Sequence, residues 1–398
     1  MQKKVLITQQ ELANYGGSEV VTLELTDYFL DKGFEVVVAT NYYGQPISQE
    51  FDKRVEVVDF SSDIDINTFS HVWIHHNLIP WQILSHIETG KKINAKIAFH
   101  HMSPYLPIES PLAPKLEESI ADYIFFNSQE TKESYEYLFD DASRLYILGN
   151  PAPDKFLRDR NSEKNDKPRN ILVVSNHVPT ELTEALRSIE AKGINVDVFG
   201  VSGEPRLVTP SEILAHDVVI SIGKTVQYSL LSGTPVYCYD HFGGSGYLSS
   251  NNLKKNRKFN FSGRGFSKKQ SDSIAKEIEE GYATAVVEAA KLKNQYANEF
   301  LLSHKLADYI NNEKTKKQIE DIKAEVPRQR VLMKMNIENI KAITYLRNKL
   351  LTIENNLDKK TIEVRELEGA NARLNKSLVM RSPIKLIKIA FGKILNRD

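Results

Sequence analysis

Hydrophobic residues in the first 155 positions fall into short apolar runs separated by segments with helical periodicity. The short runs predict seven strands, at 4–8, 34–40, 55–60, 71–75, 96–100, 123–127 and 145–148. The periodic segments predict helices at 16–29, 116–122 and 129–138, with Ser128 as the N-cap of the third. Strands that alternate with helices are typical of parallel β-α-β units, so we interpret residues 1–157 as a Rossmann-like domain.

A polar, charged segment at 158–169 is interpreted as a linker, and after it the same pattern begins again. Further strands are predicted at 170–175, 195–199, 217–222 and 235–240, with helices at 179–192 and 225–231. Residues 268–312 have helical periodicity throughout, so a second Rossmann-like domain with closing helices is expected over 170–312. Two such domains predict an α/β fold with a ligand site in the cleft between them, at the carboxyl ends of the strands.

From about residue 329 the apolar spacing changes to heptads, which predicts a coiled coil within 313–380. The heptad core positions are Ile343, Leu346, Leu350, Ile353, Leu357, Val364, Leu367, Leu374 and Leu378. Lys360 and Asn371 are the polar exceptions, and a polar residue such as Asn371 at an a position influences register and oligomeric state. A homo-oligomer formed through this coil is the favoured interpretation, and a long helix packed on the body is the alternative.

The last segment, 381–398, has the pattern of a basic amphipathic helix. Ser382 and Pro383 suit its first positions. Its apolar face contains Ile384, Ile387, Phe391, Ile394 and Leu395, and lysines lie on the other side. The pattern indicates contact with a membrane surface, and docking on the protein's own surface is the alternative.

The acidic and basic residues are unevenly distributed along the chain, and this distribution bears on the role of its C-terminal segment. The 398 residues contain 52 basic and 52 acidic side chains, which excludes a nucleic-acid binder of the strongly basic kind. Residues 311–398 contain 20 basic and 11 acidic residues, so they carry +9 and the preceding body carries −9. An acidic body with a basic tail favours a tail that contacts phosphate groups or a membrane.

The single cysteine, Cys238, lies in an apolar run and is interpreted as a buried thiol in a reducing compartment. The first apolar stretch is too short for a signal peptide, and no stretch reaches the length of a membrane span. A cytoplasmic protein, peripheral at the inner face of the cell membrane, is therefore expected.

Two sets of residues follow predicted strands and carry candidate chemistry. Gly16 and Gly17 lie between the first strand and the first helix, where glycines permit close backbone approach and a helix N-terminus suits a phosphate. His100 and His101 end one strand, and His75 and His76 end the preceding one. Adjacent residues on a strand point to opposite faces, and no carboxylate or cysteine cluster accompanies the histidines, so no metal site is expected.

The order of these motifs resembles that of the GT-B fold glycosyltransferases, in particular the large retaining family 4 group, over about residues 1–310. The N-terminal half contributes 15–21 (YGGSEVV), similar to the family's Gly-Gly loop, and 32–36 (KGFEV), similar to its KGHEV strand start. Residues 121–128 and 148–151 (LGNP) resemble its AD…S and PNG turns. Residues 232–236 (SGTPV), Asp240 and Gly243-Gly244 resemble its GxPV…DxGG motif. His100 or His101 falls where the family places a histidine near the donor sugar.

The donor-binding motifs of the family are altered in this chain. Residues 175–181 (SNHVPTE) lack the family's Arg and Lys, and Tyr228 stands where the family has a ribose-binding glutamate. Gly223, Lys224 and Thr225 end a strand and open a helix, which suits a pyrophosphate. Lys224 is the expected phosphate cation, and Asn176, Gln227 and Tyr228 are further donor-binding candidates.

The resemblance implies a metal-free, retaining transfer of a hexosyl or deoxyhexosyl group from a nucleotide sugar, with no cofactor. His100 or His101 is the catalytic candidate, and the acceptor, a saccharide on a lipid carrier, is expected near His75, His76 and Tyr105. The proline-rich loop at 102–114 is expected to close over the cleft. Surface polysaccharide biosynthesis is the implied role. A catalytically inactive GT-B-like partner subunit that binds a protein or glycan is the main alternative, and a coiled-coil scaffold is another.

Overall fold

Seven strands from the first 150 residues form one sheet: β1 (Lys4–Gln9), β2 (Glu35–Thr40), β3 (Glu56–Asp59), β4 (His71–His75), β5 (Lys96–His101), β6 (Tyr123–Phe126) and β7 (Leu145–Ile147). The computed structural model describes residues 3–159, 166–200, 206–313, 317 and 319–380. All seven strands are parallel, in the order β3-β2-β1-β4-β5-β6-β7. Each predicted strand is present to within one residue at either end.

α-Helices form four of the six connections between these parallel strands, and the connections on either side of β3 contain only short 3₁₀ turns. The four helices are α1 (Gly17–Asp31), α2 (Trp81–Thr89), α3 (Pro114–Ile120) and α4 (Gln129–Tyr135). Ser128 is the N-cap of α4, and its hydroxyl accepts from the Thr131 amide, as predicted. α2 was not predicted. It begins immediately after Pro80 and ends at Gly90, whose φ of 68° provides a left-handed C-cap.

The second half contains β8 (Asn170–Val174), β9 (Asn195–Phe199), β10 (Val218–Ser221), β11 (Val236–Asp240) and β12 (Gly243–Tyr247), in the order β12-β11-β10-β8-β9. Its helices are α5 (Thr180–Glu190), α6 (Pro210–Ala215), α7 (Lys224–Ser232), α8 (Leu253–Lys258) and α9 (Ser271–Phe300). β12 pairs antiparallel with β11. The sequence did not predict β12 because its GGSGY segment has no apolar alternation.

The chain then returns to the first half. The predicted continuous helix over 268–312 is interrupted at Leu301, whose backbone is extended, and continues as α10 (Leu302–Lys305) and α11 (Ala307–Asn311). Leu302, Leu306 and Tyr309 belong to the same hydrophobic cluster as β1, α1 and β2. Residues 302–311 therefore complete the core of the first half, whereas the sequence boundaries had assigned them to the second.

One helix, α12 (Val326–Met380), ends the described chain. The described residues up to Asn336 form one compact unit, and those from Ile337 to Met380 form another. The heptad residues of α12 from Ile343 to Leu374 are at least half exposed. Pairing of this helix with a second chain stays a prediction, and the predicted amphipathic helix at 381–398 lies outside the described residues. In the part of the chain that the structure describes, no helix has both the length and the apolar character needed to cross a bilayer.

Candidate functional site

A buried pair of histidines lies at the carboxyl edge of the first sheet. His75 of β4 and His100 of β5 are register partners, and their rings approach with 3.3 Å between His75 Nε2 and His100 Nδ1. The indole of Trp73 donates to His75 Nε2 at 2.8 Å. On the other side of the ring, His75 Nδ1 lies 3.2 Å from Thr22 Oγ1, which itself donates to the carbonyl of Ser18.

These partners assign the ring protons. His75 Nε2 accepts from Trp73, so its proton is on Nδ1 and is donated to Thr22. His100 Nδ1 therefore donates to His75 Nε2, and His100 Nε2 is left as a lone pair that is buried and without a partner. Burial, followed by the positive charges of neighbouring His101 and Lys224, lowers the pKa of His100 to about 3. Burial also lowers the pKa of His75 well below its ordinary value, so both rings are neutral at pH 7.

His101 and His76 make different contacts. His101 is hydrogen-bonded to the Glu109 carbonyl at 2.7 Å and to the Glu117 carboxylate at 2.9 Å. Burial opposes the charged form of His101, but the contacts with Glu117 and Glu109 together outweigh it and raise the pKa of this ring. His76 Nε2 lies 3.3 Å from the Glu109 carboxylate, with its backbone at a φ of 52°. The sequence left His100 and His101 as equal candidates, and only His100 offers a lone pair to a ligand.

The loop that joins β5 to α3 is held against these strand ends. The side-chain amide of Asn77 donates to the carbonyls of Ile108 at 2.9 Å and Ser110 at 2.7 Å. The Glu109 carboxylate accepts from the amide of Met102 at 2.9 Å. In this structure the predicted closing loop is therefore packed on the first half. Of the acceptor candidates, His75 and His76 are buried, and Tyr105 is 61% exposed.

The Gly-Gly turn lies at the start of α1, with Gly16 as its N-cap. A Cβ on Gly16 would lie 2.1 Å from the carboxylate of Glu19, whereas one on Gly17 would have nothing within 4 Å. Burial raises the pKa of Glu19. The N-terminus of α1 thus already has a carboxylate against it, and a phosphate at this point would have to displace that side chain.

The predicted phosphate cation is engaged in an ion pair between the two halves. Lys224 Nζ lies 2.5 Å from a carboxylate oxygen of Glu24 on α1 and donates to the carbonyl of Pro151 at 2.9 Å. The Tyr228 hydroxyl donates to the other oxygen of Glu24. The Tyr228 ring is stacked on Phe156 with centroids 3.9 Å apart. Burial raises the pKa of Glu24, and the ammonium of Lys224 opposes that shift.

The other residues predicted to bind the nucleotide-sugar donor differ in how deeply they are buried. Thr225, Gln227 and Tyr228 are buried in α7, and Asn176 is exposed after β8. Gly223 is the N-cap of α7 with a φ of 62°, and a Cβ there would meet nothing within 4 Å. Gly223 therefore leaves the start of α7 open, whereas Gln227 and Tyr228 point into packed surroundings.

A second ion pair joins the halves at another point, and the sequence did not reveal it. The guanidinium of Arg264 makes hydrogen bonds of 2.5–3.1 Å to both carboxylate oxygens of Glu130. Tyr105 donates to the same carboxylate at 2.6 Å, and its ring lies 4.8 Å from the guanidinium. The nearby Lys258–Glu133 pair, at 2.9 Å, also crosses between the halves. The buried Lys224–Glu24 pair and the bidentate Arg264–Glu130 pair therefore hold the cleft closed in this structure.

Between the halves lies a small cavity that brings together two of the candidates, His100 and Lys224. It is lined by His100 and Glu24 from the first half, Gly149 and Asn150 before the linker, and Lys224 from the second half. Gly243 and Gly244 of the DxGG-like motif lie elsewhere, at the start of β12. A Cβ on Gly244 would lie 1.9 Å from the Cys238 carbonyl, so this glycine is required by backbone packing.

Among the described residues, no group of three or more His, Cys, Asp or Glu side chains is placed to hold a metal ion. His75 and His100 contact each other directly, and His76 and His101 are each paired with a glutamate.

Comparison with known proteins identifies the fold. No protein-family model matches the chain, and no curated protein matches it in sequence. HepE from Anabaena, solved with UDP, is 13% identical over 78% of this chain and 100% of its own, with a TM-score of 0.50. A mutant of S. aureus TarM, solved with fondaparinux, alpha-GlcNAc-glycerol and UDP, is 9% identical over 78% of this chain and 100% of its own (TM-score 0.49). WaaG, a glycosyltransferase involved in lipopolysaccharide biosynthesis, is 12% identical over 78% and 100% (TM-score 0.45). The chain has an α/β fold that resembles that of the GT-B glycosyltransferases.

Proposed function

We propose that this protein is a glycosyltransferase that moves a sugar from a nucleotide-sugar donor to a saccharide acceptor in surface polysaccharide biosynthesis. The observation that carries the proposal is His100, a neutral, buried histidine whose Nε2 has no partner and which lines the cavity between the halves. HepE, the neighbour of similar fold, is solved with UDP. A neutral imidazole nitrogen is suited to accept a hydrogen bond from a sugar hydroxyl.

In the proposed reaction, Lys224 and the N-terminus of α7 stabilise the charge that develops on the departing nucleoside diphosphate. Lys224 must first leave Glu24, with which it is paired in this structure. The buried carboxylate then takes up a proton, which its raised pKa favours, and keeps its hydrogen bond from Tyr228. Donor binding and opening of this ion pair are therefore one event in the proposed mechanism.

His75 acts as a positioning residue in this scheme. It is fully buried and contacts no open surface, but its Nε2 accepts from His100 and thereby fixes the His100 tautomer. Tyr105 is the candidate for acceptor contact because its ring is exposed beside the Arg264–Glu130 pair. We also propose a retaining, metal-independent transfer, as the family resemblance implies, and chelation with EDTA checks the second point by leaving turnover unchanged.

The test combines binding and turnover. Calorimetric titration with a panel of nucleoside diphosphates is expected to find micromolar binding of one of them. Release of that diphosphate from its sugar nucleotides, with a lipid-linked or oligosaccharide acceptor, is expected to fall at least about a hundredfold in His100→Ala, the range for a group that acts on the reacting centre. His216→Ala is the matched control, because His216 is also buried and hydrogen-bonded, but to Glu212 and Asp197 of the second half.

The two ion pairs that connect the halves support a second candidate function. Lys224 and Arg264 are both paired with carboxylates of the first half, and Gln227 is buried. A GT-B-shaped subunit that has lost donor chemistry and binds a protein or glycan would have this arrangement. Absence of binding by every nucleoside diphosphate at millimolar concentration would reject the enzyme and favour this candidate.

Membrane contact is a separate part of the proposal, based on the basic tail. Residues 381–398 contain five basic residues and one acidic residue. Such a segment favours an anionic membrane face, where a lipid-linked acceptor is held. Flotation with phosphatidylglycerol vesicles is expected to recover the full chain at low salt and to lose it at high salt or on truncation after residue 380.

A further inference from the structure

The surface of α12 carries an exposed apolar stripe, here called the α12 seam. Every member is at least half exposed, from 50% at Ile343 to 69% at Leu367. The seam consists of Ile343, Leu346, Leu350, Ile353, Leu357, Val364, Leu367 and Leu374, with Lys360 and Asn371 at the two remaining core positions. The spacing alternates between three and four residues, which defines a and d positions of a coiled coil.

The width and charge of the seam favour another helix as its occupant rather than a bilayer. A membrane-binding helix presents a broad apolar face opposite a strongly charged one, whereas this seam occupies only the a and d positions. Residues 343–374 contain six basic and five acidic side chains, so the segment is close to neutral and has little attraction for anionic lipid. A second copy of the chain supplies an identical seam.

Parallel pairing of two copies conflicts with the charges beside the seam. In a parallel dimer each core position faces itself, so Lys360 would face Lys360 of the second copy in a core layer. Glu363 of each copy, at a g position, would face Glu368 of the other copy, at an e position, so this repulsion would occur twice. The parallel arrangement has two favourable contacts. Lys349 of one copy attracts Glu354 of the other, and Asn371 faces Asn371 in a core layer.

Antiparallel pairing with full overlap removes both conflicts. When Ile343 of one copy faces Leu374 of the other, every core layer joins an a position to a d position. Leu350 then faces Leu367, and Ile353 faces Val364. Lys360 faces Leu357, where its aliphatic stem covers the leucine while its ammonium reaches solvent. Asn371 faces Leu346 in the layer next to the end of the seam, close to water.

The flanking charges also agree with this arrangement. In an antiparallel coil the e positions of the two helices face each other, and so do the g positions. Arg347 at e then faces Glu368 of the second copy, and this attraction occurs twice by symmetry. Glu354 faces Thr361, Lys349 faces Ala370, and Asn356 faces Glu363. None of these contacts joins like charges.

We propose that this protein forms a homodimer through an antiparallel coiled coil of the α12 seam, with Ile343 of each copy opposite Leu374 of the other. Two-fold symmetry closes the assembly, because each copy uses the same surface. The proposal is independent of glycosyl transfer, since it concerns only residues 343–374.

Thiol cross-linking of the full-length protein tests the orientation. The only native cysteine, Cys238, is fully buried, so an introduced cysteine on α12 is the only exposed thiol. Leu350→Cys and Leu367→Cys are each expected to give no disulfide-linked dimer on mild oxidation. In the antiparallel dimer of Leu350→Cys the two introduced thiols are separated by 17 residues, about 25 Å along the helix. The two variants co-expressed with different tags are expected to form a mixed disulfide dimer.

Charge reversal provides a second readout in the same full chain. Arg347→Glu is expected to weaken the dimer about tenfold by sedimentation, and Arg347→Glu with Glu368→Arg is expected to restore it. Arg365→Glu, at an outward b position, is the control and is expected to have no effect. Disulfide formation by Leu350→Cys alone would establish the parallel arrangement and overturn the proposal. A monomer at every concentration reached would overturn it as well.

Discussion

The ammonium of Lys224 and the carboxylate of Glu24 lie 2.5 Å apart, and they connect α7 of the second half to α1 of the first. Their side chains are only 12% and 8% exposed, so the charges are held away from water. Removing one member of such a pair leaves the other charge buried without compensation, whereas removing both does not.

Lys224→Met is therefore expected to lower the free energy of unfolding by about 3–5 kcal/mol, which chemical denaturation measures. The double variant Lys224→Met with Glu24→Gln is expected to recover most of that loss, because the glutamine still accepts from Tyr228 and carries no charge. A double variant as unstable as Lys224→Met would show that the ion pair does not account for the effect.

The neutral state of His100 predicts an acid-sensitive stability. Its pKa is lowered to about 3 in the folded protein, against about 6.5 when unfolded, so below pH 6.5 the unfolded chain binds more protons. The contribution of neutral His100 to the free energy of unfolding is fully present above pH 6.5. It decreases as the pH falls towards 3, and about 2 kcal/mol of it is lost at pH 5.

His100→Phe keeps an aromatic ring that does not titrate, so its unfolding free energy is expected to fall less steeply between pH 7 and 5 than that of the wild type. His177→Gln is the control, since His177 is an exposed histidine that does not line the cavity. Identical slopes for His100→Phe and the wild type would contradict the neutral, buried assignment of His100.

The Arg264–Glu130 contact predicts that the cleft opens when the guanidinium is removed. Arg264→Ala is expected to increase the radius of gyration in small-angle scattering and to accelerate cleavage of the 158–169 segment by a protease. Arg257→Ala removes a 2.7 Å ion pair to Glu299 that lies within the second half, so this control is expected to change neither quantity. An unchanged radius in Arg264→Ala would mean that the remaining contacts suffice to hold the cleft closed.

The two Gly-Gly pairs of the sequence are expected to respond differently to alanine. Gly244→Ala places a Cβ 1.9 Å from the Cys238 carbonyl and is expected to lower the melting temperature by several degrees or to prevent folding. Gly17→Ala has nothing within 4 Å of the new Cβ and is expected to fold normally. Equal melting temperatures would show that the pairing of β11 with β12 adjusts to the added methyl group.

The strands other than β12 were predictable because each is a short, largely apolar run, and such a run is typical of a strand buried in a parallel sheet. The Gly-rich β12 and the short helix α2 carry no comparable pattern. The cleft contacts were not predictable because they join residues far apart in sequence: Arg264 and Glu130 are 134 positions apart, and Tyr228 and Glu24 are 204 apart. The one local signal was Glu24 itself, a carboxylate on the apolar face of α1.

The packing of Leu302, Leu306 and Tyr309 in the first half has a consequence for the order of synthesis. Lys96 of β5 donates to the carbonyls of Tyr309, at 2.7 Å, and Asn312, and Tyr309 reaches the backbone of Val72. While the ribosome is still translating the second half, the first sheet lacks the carbonyls of Tyr309 and Asn312 that accept from Lys96 in the complete fold. We therefore expect the first half to reach its final packing only after more than three quarters of the chain has emerged.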